Sequence, residues 1–551
     1  MSGAEAAFGV VGLLLAFKGA VDGYLFIDSL IEVDGSQRYL CIRYIVERHK
    51  LTIWGDHFRV NDKESCTLGQ LSLKVRQIIS VILNEIKTQH SRADSFISRY
   101  DGQLGKLLPS SSSEGVIGAY QNDPVIQKKN KQHFRFVVRD KKKLEEVIDR
   151  LRQLNDDLYD VLDVRTSNLM AKHLSSYVLP GFTDSESLES LGNPSPSIPS
   201  LLSLSAKIKK IQEGNDQTSE GSVKIKASNL SFGQGRDRAM GFYGSLETPQ
   251  RRVLIEWKYI STSAPTDVKE RLRVRVKHLG VSLLATQDSA FQVLRFVGTF
   301  EDTKFKLSGV GEERIGLVYA APSPNTDLTT MTTLAEYIQH SRAPDGPPLP
   351  SLGLRFKLAF AIASSLSLFH ASKWLHRSFS SHNVLLFADN QNPTNGHASL
   401  ANPYIAGFGY SRSRSDESVD WFRAGSADRN YYISPRVAEG FKAKFDLYSL
   451  GVVLLEVGLW ALVKDEIPPK AAAPARPSGE GDETTPPPRS DASLVLDMVP
   501  RLAHLVGETY RDVVYTCLTS GYAKGISDTE EEMFARAVFV DILTPLGGLK
   551  A

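Results

Sequence analysis

The sequence predicts a multidomain chain in which an all-α helical bundle is followed by an α+β region, and three observations carry that prediction. Apolar residues recur at helical spacing through the first third. A serine- and proline-rich stretch then interrupts the pattern, and β-branched runs precede two long apolar helices. At 551 residues the chain has room for about three or four domains of 100–200 residues. A net charge of +2 gives no bulk attraction for nucleic acid, and no nucleic-acid partner is expected. Cys41, Cys66 and Cys517 lie too far apart for a disulfide framework or a metal-ligand spacing, which suits a reducing cytosol. The apolar start lacks a basic n-region, with Glu5 before it and Lys18 after it, so it does not read as a secretory signal.

Taken in order, residues 6–17 form an apolar run shorter than the about 20 residues of a bilayer span, and a buried core helix is expected. Residues 37–59 read as a helix, with Leu40, Ile42, Tyr44, Leu51, Ile53 and Trp54 among charges and Gly55 as its stop. Residues 68–100 place Leu71, Val75, Ile78, Ile79, Ile82 and Ile86 near 3.6 spacing, and residues 141–164 repeat the pattern from Leu144 to Leu162. Between them Lys128, Lys129, Lys131, Arg135, Arg139 and Lys141 to Lys143 form a basic cluster. Such a cluster can hold anionic lipid at about 1 kcal/mol per charge; a solvated loop and first helical turn is the plain alternative.

Three fragments carry a resemblance for roughly residues 1–210. They are Phe8-Gly9-Val10-Val11-Gly12-Leu13, the acidic-aromatic set Asp22, Tyr24, Phe26 and Asp28, and Leu51-Thr52-Ile53-Trp54-Gly55. Together they are similar to the HeLo domain of fungal prion-inhibition and cell-death proteins. The resemblance implies a latent membrane-active bundle over residues 1–182, extending at most to 213. Its released N-terminal segment would insert through Phe8, Val10, Val11, Leu13, Leu14, Leu15 and Phe17. Lys18 and Asp22 would cost roughly 2.5–3.5 kcal/mol each near the bilayer centre, so they would snorkel or line a pore. Residues 183–222, rich in Ser and Pro, are expected to be a linker that buries no core.

The region 223–545 is organised around Leu375-His376-Arg377-Ser378 through Asn383-Val384-Leu385-Leu386. This stretch resembles the protein-kinase catalytic loop, H-R-D-L-x-x-x-N followed by a strand, with Ser378 in the Asp position. In kinases that Asp accepts the proton of the attacking hydroxyl; a serine does not do so near pH 7, and loss of a positioned base costs about 10²–10⁴ in rate. Gly407-Phe408-Gly409 stands where D-F-G would fall, leaving no carboxylate for magnesium. Tyr432 to Arg436 stands at the A-P-E position, and Asp446-Leu447-Tyr448-Ser449-Leu450-Gly451 matches the D-x-W/Y-S-x-G helix.

The resemblance implies a two-lobed α+β protein-kinase-like fold with its chemistry given up, a pseudokinase. Its cofactors would be ATP and magnesium, with Lys258, Glu270, Gly233 and Gly235 as nucleotide-binding candidates and Asn383 as the metal candidate. Arg238 falls on the third glycine position of the phosphate loop, so a plain turn at Gly233 and Gly235 is the alternative. Residues 314–322 read as the strand into the inter-lobe hinge. Ser351 is expected to cap a helix over 354–370, residues 446–463 form a buried helix, and 466–491 a disordered insertion.

Glu256-Trp257-Lys258, Trp374-Leu375-His376, Pro403 to Phe408 and Tyr410-Ser411-Arg412 resemble fungal HeLo proteins with an attached kinase-like domain. The expected function is regulated cell death or heterokaryon-incompatibility signalling, in which the pseudokinase regulates the bundle. Its partners would be an anionic membrane surface, a protein partner or upstream sensor, and further copies of itself when active. The chain would be cytoplasmic, relocating to the plasma membrane on activation. Two other functions fit the residues: an atypical kinase that binds ATP and phosphorylates proteins, or an inert scaffold. No amyloid repeat is recognisable in the sequence.

Overall fold

The computed structural model describes residues 10–30, 38–97 save 63, 141–214, 223–244, 250–308 save 287, 311–388 save 323–325 and 327, 400–413 save 411, 431–437, 441–467, 491–519 and 531–550. Phe8, the basic cluster as far as Asp140 and nearly all of the expected insertion lie outside these residues. The chain divides into two compact units, 1–203 and 204–551.

The first unit is helical: α1 (Val10–Leu30), α2 (Arg38–His57), α3 (Leu73–Ile97), α4 (Lys141–Asp160), α5 (Val164–Val178), α6 (Ser185–Gly192) and the start of α7 (Ser200–Gln212). Leu13, Phe17, Ala20 and Tyr24 recur at three- and four-residue intervals along α1 and are buried, while Val11 and Leu15 are exposed. That stripe packs mainly on α3. Gly55 does not stop α2; it sits inside the helix because the Phe17 ring lies where its Cβ would be. The single helix expected over 141–164 is two, because Asp163 caps a new start by accepting from the Thr166 backbone (3.1 Å).

As far as residue 214, the stretch expected to be a linker also folds. Asp184 caps α6 through Ser187 N at 2.8 Å, and Leu188, Leu191, Ile198 and Leu202 are all buried. Two of its serines find backbone partners, Ser190 at the Glu186 carbonyl (2.9 Å) and Ser203 at the Gly192 carbonyl (2.7 Å).

The second unit combines antiparallel sheets with helices. Strands β1 (Leu230–Phe232), β2 (Arg238–Tyr243), β3 (Arg251–Ser261), β4 (Phe296–Glu301) and β5 (Glu312–Ala320) form one sheet in the order β1-β2-β3-β5-β4. Central β3 alternates. Val253, Ile255 and Trp257 join Ala239, Phe300 and Val318 in an apolar cluster, so Leu254, Glu256 and Lys258 face the opposite side. Helix α8 (Thr266–Ala285) connects β3 to β4.

Beyond the sheet, α9 (Leu334–Ser341) precedes α10 (Leu352–Ala371), which Ser351 caps at Leu354 N (3.4 Å). Helix α10 is long and apolar enough to cross a membrane, but it is largely buried as a core helix. Short strands β6 (Thr332–Thr333), β7 (Trp374–Leu375), β8 (Val384–Leu386), β9 (Tyr404–Ile405) and β10 (Arg412–Ser413) frame the loop after α10. Helix α11 (Ala443–Leu459) is buried almost throughout. It ends before the expected residue 463 because Trp460 turns to a left-handed φ of 53°, its N–H bonding the Glu456 carbonyl and its indole donating to Ser341.

Candidate functional site

The loop between β7 and β8 is anchored from below by α11. The Asp446 carboxylate accepts from His376 N (2.8 Å) and Arg377 N (2.7 Å), and His370 lies 3.2 Å from it. That anchor holds Arg377 at a φ of 67°. The buried His376 ring bridges Ser378 N (3.4 Å) and the Ala406 carbonyl (2.9 Å), and burial pushes its pKa down. Phe408 is fully buried among Phe369, Trp374 and His376. Two helices and two loop segments are thus tied at one point.

Four side chains and one backbone amide close the space between this loop and the sheet. Arg238, at the start of β2, donates Nε to Glu256 Oε1 (2.9 Å), Nη1 to the His382 carbonyl (2.9 Å) and Nη2 to Asn383 Oδ1 (2.6 Å). Glu256 also accepts the Gly407 amide, at 2.8 and 3.0 Å. Asn383 spends its amide hydrogens on Ser378, at the carbonyl (2.6 Å) and hydroxyl (3.2 Å). Gly407 has a φ of 85°, and any Cβ there would overlap the Asn383 amide, so only glycine fits. Burial, then the Glu256 charge, raises the pKa of nearby Tyr319 well above the usual tyrosine range.

The expected nucleotide residues fall differently. Gly233 and Gly235 form the turn between β1 and β2, where Gly235 allows close approach of the Arg238 carbonyl. The turn folds onto β3 through Trp257 N to Asp237 O (3.2 Å) and the Tyr259 hydroxyl to Arg236 O. Lys258 is buried beside Gly409. Glu270 does not meet it: its side chain is exposed and pairs with Arg273 on its own helix at 3.9 Å. Sequence reading missed Arg238 and Glu256 as partners. The available signal was Glu256 itself, an acidic residue inside the apolar run Val253-Leu254-Ile255-Glu256-Trp257, where a buried carboxylate calls for a cation.

In the first unit, the expected inserting residues divide. Leu13 and Phe17 are buried, Val10 and Leu14 are half-buried, and Val11 and Leu15 are exposed. Phe17 stacks on Trp54 at 5.9 Å between centroids. Two turns on, Tyr24 enters a buried polar centre. Asn155 reaches the Tyr24 hydroxyl (3.1 Å) and Glu47 (3.0 Å), while Lys50 bonds Glu47 (3.1 Å) and Asp156 (2.9 Å). Burial raises the pKa of Glu47 against the pull of Lys50. His90 packs edge-on to Tyr24 at 4.3 Å, with neither ring nitrogen hydrogen-bonded, and burial pushes its pKa down to about 3.

Residues 6–191 match the HeLo family model, described as prion-inhibition and propagation. The N-terminal unit is therefore similar to that family over almost its whole length. A search of the curated proteins returns no match for this chain.

Proposed function

We propose that this chain is a regulated cell-death effector in which a catalytically silent kinase-like unit controls a HeLo-like bundle that acts on membranes. The observation that carries the proposal is the docking of α1. Its 21 residues extend about 31 Å at 1.5 Å each, close to the thickness of a bilayer's hydrocarbon core. The whole helix is longer than the apolar run at its start, and it is held by one buried stripe and a polar centre. The match over residues 6–191 supports the HeLo-like reading of the bundle.

The kinase-like reading of the second unit is supported by its five-stranded antiparallel sheet and by Asp446 bonded to the His376 and Arg377 amides. Its silence is supported by Ser378 and Gly407, neither of which carries the carboxylate that phosphoryl transfer requires. The chain would rest in the cytoplasm, respond to a protein partner or upstream sensor, and act on an anionic membrane surface, self-associating when active. Dye release from anionic liposomes tests this. Residues 1–213 should release dye, the full chain much less, and deletion of residues 1–20 should abolish release. Intact liposomes with a folded 1–213 fragment would refute the proposal.

A further inference from the structure

The kinase-like reading implies a nucleotide and a magnesium ion in the second unit, and the residues there do not fit them. Magnesium takes oxygen ligands in near-octahedral array, commonly carboxylates and phosphate. Ser378 and Gly407 supply no carboxylate, Asn383 Oδ1 already accepts from a cation, Arg238 Nη2 at 2.6 Å, and the one carboxylate at the closure, Glu256, is taken up by the same guanidinium and the Gly407 amide. Among the described residues no three His, Cys, Asp or Glu side chains converge to hold a metal.

We infer that the Arg238 guanidinium is a built-in cation that takes the place of the ligand and clasps the sheet to the loop. This rests on the kinase-like reading for what has been replaced, but the clasp itself stands on its bonds. Arg238 is aimed by Glu256, whose side chain is 5% exposed against 18% for the arginine. From there one planar group spans to the His382 carbonyl and Asn383 in a three-way fork. Arginine can form that fork and lysine cannot. Glu256 completes the closure from the other side by accepting the Gly407 amide, the position from which a metal-binding Asp would project. Sheet and loop are thus joined without nucleotide, and the unit is held closed in its resting form.

Two measurements on the full chain test this. In thermal unfolding with ATP and magnesium, and with magnesium alone, the wild-type second-unit transition should not move; a saturable rise in Tm overturns the inference while leaving the membrane reading untouched. Arg238→Gln and Glu256→Gln, singly and together, test the clasp. Removing one partner of a buried pair should lower the Tm of a unit this size by roughly 4–9 °C. The double variant should lose little more than either single one, with faster hydrogen exchange at the Gly407 amide in every variant carrying Glu256→Gln. Additive losses, or an unchanged Gly407 amide, would overturn it.

Discussion

Gly407 makes the absence of a carboxylate a structural requirement of the loop. A side chain there meets two penalties, a positive φ and overlap with the Asn383 amide. Backbone strain of that kind costs of order 1–3 kcal/mol. Gly407→Asp should therefore lower stability by about that much in denaturant titration and give no magnesium-dependent phosphoryl transfer; a stable, active variant would show that the loop had merely lost its Asp. Glu456 supplies a second residue-scale prediction. Burial, partly offset by the Tyr432 hydroxyl at 2.7 and 2.9 Å, raises its pKa to about 7 from 4.5. The folded state then keeps a proton that the unfolded chain releases, so stability falls as pH rises from about 4.5 to about 7 and levels off above. Relative to wild type, Glu456→Gln should gain roughly 3 kcal/mol between pH 4.5 and 8. A pH-independent difference would mean that the carboxyl is ionised throughout. Both residues were visible in the sequence, but neither property was. The bar on a Cβ at 407 comes from Asn383, far off in sequence, and the Glu456 shift from full enclosure by distant elements.

At the scale of elements, the seating of α1 on α2 depends on the contact between Gly55 and Phe17. In an ordinary helix interior Gly→Ala gains about 1 kcal/mol. At position 55 the new methyl would instead overlap the Phe17 ring and force it off Trp54, and overpacking of that sort costs about 1–3 kcal/mol. Gly55→Ala should consequently destabilise the bundle and speed proteolysis within α1; a stabilised, equally resistant variant would mean that Phe17 is loosely held. Periodicity made the main helices legible, because an apolar stripe at 3.6 spacing is a local property of α1, α3 and α4. What it could not reveal was long-range. Gly55 looked like a stop because its partner lies on another helix. Residues 185–212 looked like a linker because serine-rich composition obscured Leu188, Leu191, Ile198 and Leu202. Glu270 failed as a partner for Lys258 because helix periodicity does not say which side of α8 faces the sheet.

Across the whole molecule, acid should separate the two units. In the first, burial pushes His49 and His173 well below the usual histidine pKa, His57 to about 4 and His90 to about 3. Each stays neutral when folded but takes a proton when unfolded, so each withdraws stability as pH falls below about 6.5. Only Glu47, raised by burial, pulls the other way among these buried groups. In the second unit two buried groups oppose each other. His376 is lowered and withdraws stability in acid, whereas Glu456 is raised and returns it between about pH 7 and 4.5. The bundle should therefore lose more thermal stability than the second unit between pH 7 and 5. Calorimetry of the full chain, with the bundle's transition assigned from residues 1–203, should show that transition moving down further than the second unit's. If it holds steady or rises, the buried histidines open locally to water and His90 cannot clamp Tyr24. If it falls, and His90→Gln removes part of the fall, then the same packing that seats α1 also makes its release sensitive to acid.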